Sequence, residues 1–472
     1  MFVFYDLEAT GTSAAFDQIV QVAAIRTDAD LNPIERFEAR CRRLPWVVPS
    51  PAALRVTGIT PAMLEDSRLP SWYDLAQETG ACFRRWSPAI FLGWNSFVFD
   101  EPLLRQTFYQ SLQQPFLTSA GGNGRGCVMR IAQAAALYAS DRIKPPHDHR
   151  GRPTFRLDHV APAFGCGAAD SHDAMADAEA ALCVARRVRN ATPPVWARMI
   201  QCAHKHAVLA ALAEAEPLVL TDFTYGRVVS RLVIACGRHP DDAMDVAVFD
   251  LAHDPTPYLE RTAEEIVRLL ARSPKVIRAL RATAQPALMP AEWASREVAA
   301  LNVPPGERHR RLDLIASRPD FRARVGEALR LRRLSMQPPS LIEHRWHERF
   351  PETGSDDAAR IARFHAGDWP SRAGLAQTFA DAKLADLARR LVFAENPDTL
   401  GSDDRTALLR WGVDRVLSED ADVPWRAMPM ALREAENLLL DAEGAHRDFL
   451  ADVRRHLEAI ADHWSALAAG IC

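Results

Sequence analysis

Met1-Phe2-Val3-Phe4-Tyr5-Asp6-Leu7-Glu8-Ala9-Thr10-Gly11-Thr12 opens the chain and decides how the rest of it reads. The apolar, aromatic run from Phe2 to Tyr5 predicts a buried strand. Asp6 and Glu8 follow two residues apart, and residues i and i+2 of a strand share a face. Two like-charged carboxylates at the end of a hydrophobic strand repel each other and resist burial. A bound cation removes both difficulties. The Thr-Gly-Thr that follows supplies a turn and polar groups beside the strand end. The stretch therefore predicts half of a metal site, whose other half must come from elsewhere in the chain.

Working outward, residues 19–26 and 34–41 predict two further strands in an antiparallel meander. Thr60-Pro61 has the pattern of a helix start, with Thr60 as N-cap and Pro61 at the first helical position. A second helix is predicted over 72–86. Residues 89–95 form an apolar run of strand length that leads through Ser96-Phe97-Val98-Phe99 to Asp100. A helix over 101–112 follows, with Pro102 tolerated in its first turn. Asp100 thus falls at a strand-to-helix junction, where open α/β sheets place ligands. Residues 119–126 (Ser-Ala-Gly-Gly-Asn-Gly-Arg-Gly) predict a flexible loop, and 128–139 a helix. A further helix runs to about residue 189, capped by Ser171 or Asp173 and carrying Asp177 near its start. Asn190-Ala191-Thr192-Pro193-Pro194 ends it and marks a domain boundary. A helix is predicted over 196–215 and strands over 217–221, 227–236 and 245–251. Helices over 262–272 and 320–333 lead to a second boundary at Gln337-Pro338-Pro339-Ser340. The remainder reads as helices over 356–365, 371–393, 403–417, 425–440 and 445–467.

A chain of 472 residues exceeds a single core, so two to three domains are expected. Hydrophobic residues make up 48% and charged residues 25%, as in soluble globular proteins. No apolar run is long enough to span a bilayer, and no basic stretch precedes an apolar core at the N-terminus, so a cytoplasmic location is expected. The eight cysteines have no zinc-type spacing, which predicts reduced structural thiols. All but four of the 57 basic residues are Arg, but the net charge of −4 argues against reading polyanion binding from totals.

Asp6, Glu8, Asp100 and Asp177 are four acids at strand ends and helix starts, an all-oxygen set suited to Mg²⁺, with Mn²⁺ able to substitute. Two such ions can clamp the attacking and leaving oxygens of an in-line phosphoryl displacement. His172, just ahead of the helix that carries Asp177, is suited to accept a proton from water near neutral pH. Taken singly, each residue is better explained as a cap or a surface group. Their joint order at fitting junctions is what carries the reading.

Asp6-Leu7-Glu8-Ala9-Thr10-Gly11, Asn95-Ser96-Phe97-Val98-Phe99-Asp100 and His172-Asp173-Ala174-Met175-Ala176-Asp177 resemble the three motifs of the DEDDh 3′→5′ exonucleases. More narrowly, the chain resembles the bacterial exodeoxyribonuclease I family, through Thr57-Gly58-Ile59-Thr60-Pro61 and Phe155-Arg156-Leu157 and, more weakly, onward to the C-terminus. That resemblance implies an α/β chain of three parts: a ribonuclease H-like exonuclease domain (1–192), an SH3-like β-barrel domain with helical decoration (193–338) and a C-terminal α-helical domain (339–472). It implies that Asp6, Glu8, Asp100 and Asp177 hold two Mg²⁺ ions, with Glu8 also in the catalytic group and His172 the general base. Arg105, Arg156, Thr10, Asn95, Phe116 and Lys205 would contact the strand, with Arg227 and Arg231 further along a groove. The implied activity is release of 5′-mononucleotides from the 3′ end of single-stranded DNA by a monomer. The implied protein partner is the acidic C-terminal tail of a single-strand-binding protein. An exoribonuclease and a non-catalytic single-strand-binding protein are the alternatives. The two extra domains argue against the first, and the intact acids and histidine against the second.

Overall fold

The computed structural model describes residues 1–167, 173–214, 216–224, 227–295, 298–335, 341–346, 348 and 350–470. His172 lies outside the described residues, and of Arg227 only the backbone is described. The opening run forms β1 (Phe2–Ala9), flanked by β2 (Ile19–Thr27), which in turn pairs with β3 (Pro33–Arg40), both antiparallel. On its other side β1 runs parallel to β4 (Ile90–Gly93), and β4 parallel to β5 (Gly124–Cys127), in the order β3-β2-β1-β4-β5.

A central strand covered on both faces needs an unbroken apolar run, which is what Phe2 to Tyr5 supplies. Val3, Tyr5, Leu7 and Ala9 pack in one core with the helices Trp72–Trp86 and Asp100–Gln110. Phe2 and Phe4 pack in the other, with the helices Val128–Tyr138 and Ala174–Ala191. Period-two alternation carries Asp6 and Glu8 on the Phe2 and Phe4 face, toward the helix Ala174–Ala191.

A second sheet of five antiparallel strands follows: β6 (Leu218–Thr224), β7 (Arg227–Arg238), β8 (Asp245–Asp250), β9 (Ile277–Arg281) and β10 (Ala287–Pro290), in the order β10-β6-β7-β8-β9. Two of its strands, β9 and β10, were not expected, being only five and four residues long and lacking clear alternation. Among the described residues the strand pairing runs from β10 to β9 without closing into a barrel. The helices Pro305–Ala316 and Pro319–Leu334 follow, the first of them also unexpected. From Asp356 onward the chain is helical, ending with Gly444–Ala469, as expected, but the single helix expected over 371–393 is two, Trp369–Ala376 and Ala382–Glu395, the second capped by Asp381. Both cores extend beyond the first sheet. The Phe2 and Phe4 face shares its core with Val219, Ile234 and Phe249 of the second sheet. The Val3 and Tyr5 face shares its core with Phe364, Leu387, Val453 and Trp464 of the C-terminal helices.

Three further expectations are corrected. Residues 119–126 are not a loop throughout: the segment ends in β5, the edge strand. Its glycines permit close packing, since a Cβ on Gly124 would lie 3.0 Å from His204 Nδ1, and one on Gly126 2.7 Å from Gln285 Nε2. The single helix expected over 196–215 is two, Pro193–Cys202 and Lys205–Ala213, because the Ala203 carbonyl turns out to accept the Arg125 backbone N–H at 3.2 Å. Cys166 and Cys183, expected as thiols, form a disulfide with Cα atoms 5.7 Å apart. It ties the end of the helix Leu157–Ala163 to Ala174–Ala191, a proximity of packed helices that no spacing motif announces.

Candidate metal centre

Asp6 and Glu8 leave the end of β1 on the face covered by the helix Ala174–Ala191, and Asp177 meets them from that helix. One carboxylate oxygen from each of the three lies within 4.8 Å of the other two. Asp173 anchors the helix that delivers Asp177. Its Oδ1 accepts the backbone N–H groups of Met175 and Ala176, the expected N-cap. Its Oδ2 accepts from Gln21 Nε2 at 3.0 Å and from an Arg40 guanidinium nitrogen at 2.7 Å, fixing the helix start to β2 and β3.

Asp100 enters from the other side of β1, as the first residue of the helix Asp100–Gln110. The preceding turn is tight: Asn95 adopts a left-handed backbone with φ 58°, and a Cβ on Gly93 would lie 2.7 Å from Ser96 Cβ. Asp100 is buried, and it is not among the three carboxylates whose oxygens lie within 4.8 Å of one another.

The electrostatics are those of unneutralised acids. Burial pushes the Asp6 carboxyl well above the usual carboxylate range, and the charges of Asp100, Asp177 and Glu8 push it further. Burial, then Asp177 and Asp100, raise Glu8 to about 8, against a smaller opposing pull from Arg40. Asp100 is raised to about 7, mainly by burial, with Glu101 and Asp177 adding to it. Asp177 is raised to about 6 by burial and then by Asp173 and Asp158. Four buried or half-buried oxygen donors that destabilise one another fit a hard divalent cation, whose charge removes the repulsion. No nitrogen or sulfur ligand belongs to the cluster among the described residues.

The other expected site residues divide. Arg156 is exposed and pairs with Asp158 at 2.8 Å, at the start of the helix Leu157–Ala163. Arg105 is largely buried, with Glu101 Oε1 at 2.8 Å, and its guanidinium lies 5.1 Å from the Phe116 ring centre and 5.6 Å from that of Trp346. Thr10 is fully buried, its Oγ1 donating to Asp17 and accepting the Gln18 backbone N–H, so it closes the turn after β1. Lys205 donates its Nζ to the Ser119 carbonyl at 3.2 Å. Arg231 pairs with Asp222 at 2.8 Å. Sequence reasoning missed Gln21 and Arg40, which hold Asp173. Arg40 ends a strand whose exposed residues alternate with half-buried ones, a pattern that reads as a solvated edge.

A sheet in the order β3-β2-β1-β4-β5 with acids at the end of its central strand is the setting in which residues 3–117 match the Exonuclease family model. Over those residues the chain is similar to that family's domain. It is similar to exodeoxyribonuclease I, as the motifs imply. It is 30% identical to exodeoxyribonuclease I of Escherichia coli over 278 residues, which cover 56% of this chain and 57% of that protein. It is 29% identical to the Haemophilus influenzae protein over 271 residues, with the same coverage. The chain thus matches a little over half the length of these curated relatives. Among solved structures, Exonuclease I from Methylocaldum szegediense superposes with a TM-score of 0.81 at 24% identity, covering 98% of this chain and 99% of that one. E. coli Exonuclease I in complex with a dA16 oligonucleotide superposes with a TM-score of 0.82 at 23% identity, covering 97% and 99%. A structure of SSB/Exonuclease I in complex with an inhibitor also superposes, with a TM-score of 0.81 at 23% identity over 98% of this chain and 99% of that one.

Proposed function

We propose that this chain is a divalent-metal-dependent 3′→5′ exonuclease that degrades single-stranded DNA to 5′-mononucleotides. The observation that carries the proposal is the convergence of Asp6, Glu8 and Asp177 within 4.8 Å at the end of β1, with the charge of buried Asp100 pushing Asp6 further up. Asp6, Glu8 and Asp177, with Asp100, would hold Mg²⁺, for which Mn²⁺ would substitute. When bound, the metal supplies Lewis-acid activation of water and stabilises charge on the phosphate. The chain's own residues do the rest. Glu8, raised to about 8 without a cation, would be ionised once one is bound beside it. His172, immediately before the Asp173 cap in the sequence, is the proposed base that takes the proton from water. Exposed Arg156 would meet a backbone phosphate with a bidentate contact on leaving Asp158.

Support for DNA as the polymer comes from the E. coli homologue's complex with dA16 and from the sheet and helices that continue past residue 192. Three units, 1–192, 193–338 and 339–472, form a groove for the strand, the second of them SH3-like, in which a flexible chain gains affinity from basic and aromatic side chains. The similarity to the SSB/Exonuclease I structure supports a single-strand-binding protein as partner. The test is release of mononucleotides from matched 3′-labelled DNA and RNA strands in Mg²⁺. Faster release from DNA, abolished in H172A, is expected. Equal or faster RNA digestion overturns the substrate, and full activity in H172A overturns the base.

A further inference from the structure

We infer that Arg125 is a positioning residue that couples the seating of the second sheet to the carboxylate Asp100. The inference rests on the exonuclease reading above and adds to it a device for setting the site. Glu101, next to Asp100, is buried, and its carboxylate is held by four side chains from four places in the fold. Its Oε1 accepts from Arg105 at 2.8 Å, Arg125 at 3.0 Å and Thr118 Oγ1 at 2.6 Å, and its Oε2 accepts from the Tyr5 hydroxyl at 3.1 Å. Tyr5 is itself the residue before Asp6. Glu101 thus fixes the start of the helix that carries Asp100 against the strand that carries Asp6.

Arg125 reaches the other way as well. Its Nε donates to the Thr283 carbonyl at 2.9 Å, in the turn between β9 and β10. The neighbouring acceptors of that turn are taken by the same strand and the helix after it. Arg130 donates to the Ala284 carbonyl at 2.6 Å, and the Cys127 backbone N–H donates to Gln285 Oε1 at 2.7 Å. Gln285 is fully buried in a left-handed conformation with φ 46°, and its Nε2 donates to the Met199 carbonyl at 3.1 Å. A turn captured at three successive residues has little freedom to shift without moving Arg125. One planar guanidinium therefore joins the turn of the second sheet to the acid beside Asp100. A lysine, with a single nitrogen on a flexible stem, can neutralise Glu101 but cannot hold both partners in that geometry.

The test measures kcat and KM for digestion of a 3′-labelled single-stranded DNA, and Mn²⁺ affinity by titration calorimetry without substrate. It uses full-length wild type, R125K, Q285A, the double variant and R198K. Arg198 donates to the Leu288 carbonyl at 2.7 Å, a contact with β10 that does not reach Glu101, so R198K is the control. R125K and Q285A are expected to lower kcat at least tenfold with KM within twofold, and to weaken Mn²⁺ at least fivefold. The double variant should be no worse than R125K, and R198K should match wild type. Wild-type kcat and Mn²⁺ affinity in R125K overturn the inference, as does a normal Q285A, which would cut the second sheet out of the path. Equal losses in R198K overturn it too, by showing general destabilisation. A wild type that binds Mn²⁺ but digests no strand overturns the exonuclease reading instead, and the Mn²⁺ arm then decides this inference alone.

Discussion

Asp100 and Glu101 are adjacent, both buried, and opposite in electrostatic character. Asp100 is raised to about 7 because burial and neighbouring acids dominate its surroundings. Burial would raise Glu101 as well, but Arg105 and Arg125, with Thr118 and Tyr5, hold it below the usual carboxylate range. Glu343 repeats the second pattern in the C-terminal part, where Arg390 at 2.8 Å and Arg415 at 2.9 Å more than offset its burial. Acids that serve structure come with their cations built in. Asp6, Glu8 and Asp177 gather at the end of β1, with Asp100 adding its charge, without enough positive charge of their own, and that shortfall distinguishes a site from a brace.

D6N separates the two kinds of acid most strongly. If the acids await a cation, the substitution should lower kcat by ~100-fold or more. It should also raise the thermal midpoint of the metal-free protein at pH 8, because one of the repelling charges is gone. Loss of both activity and stability would place Asp6 among the braces. On the other side, E343A should cost about 3–5 kcal/mol in urea unfolding, since it strands the buried Arg415 and takes from Arg390 one of its two acidic partners. A loss below ~1 kcal/mol would show that Glu343 contributes little.

The pH dependence follows from the raised carboxyls. Their folded-state values lie above their unfolded ones, so the native protein binds more protons between them. With Asp177 at about 6, Asp100 at about 7 and Glu8 at about 8, metal-free stability should fall as pH rises from about 4 to about 8. Saturating Mg²⁺ should raise the midpoint more at pH 8 than at pH 5.5. Calorimetric scans with and without the ion check both statements, and a metal-free midpoint that climbs through this range contradicts them. The smallest effect belongs to Arg156: R156A should change stability by less than about 1 kcal/mol, because its pair with Asp158 is exposed. Under the proposed function it should raise KM for a strand more than it lowers kcat.

The acids were legible because each sits where backbone geometry alone predicts it: Asp6 and Glu8 by period two, Asp100 at a strand-to-helix junction, Asp177 behind a capped helix start. Thr60 is likewise the expected N-cap, accepting the Met63 backbone N–H. What sequence could not reveal depends on distant partners. The glycines at 124 and 126 read as flexibility until His204 and Gln285 are seen pressed against them. Arg105 reads as a strand contact, yet its nearest charge is Glu101 at 2.8 Å. The strands β9 and β10 are too short to show a period. Cys166 and Cys183 are 17 residues apart and meet only because two helices pack.

The division of β1 between two cores has a consequence for accuracy. A slip of one residue would trade Val3, Tyr5 and Leu7 for Phe2, Phe4 and Asp6, driving an acid into the helical core on one side and emptying the acidic end on the other. The strand is gripped like a workpiece between two jaws. One jaw extends through Phe249 in the second sheet and the other as far as Trp464. The placement of two carboxylates within the first eight residues is therefore gauged by packing that reaches almost to the end of the chain.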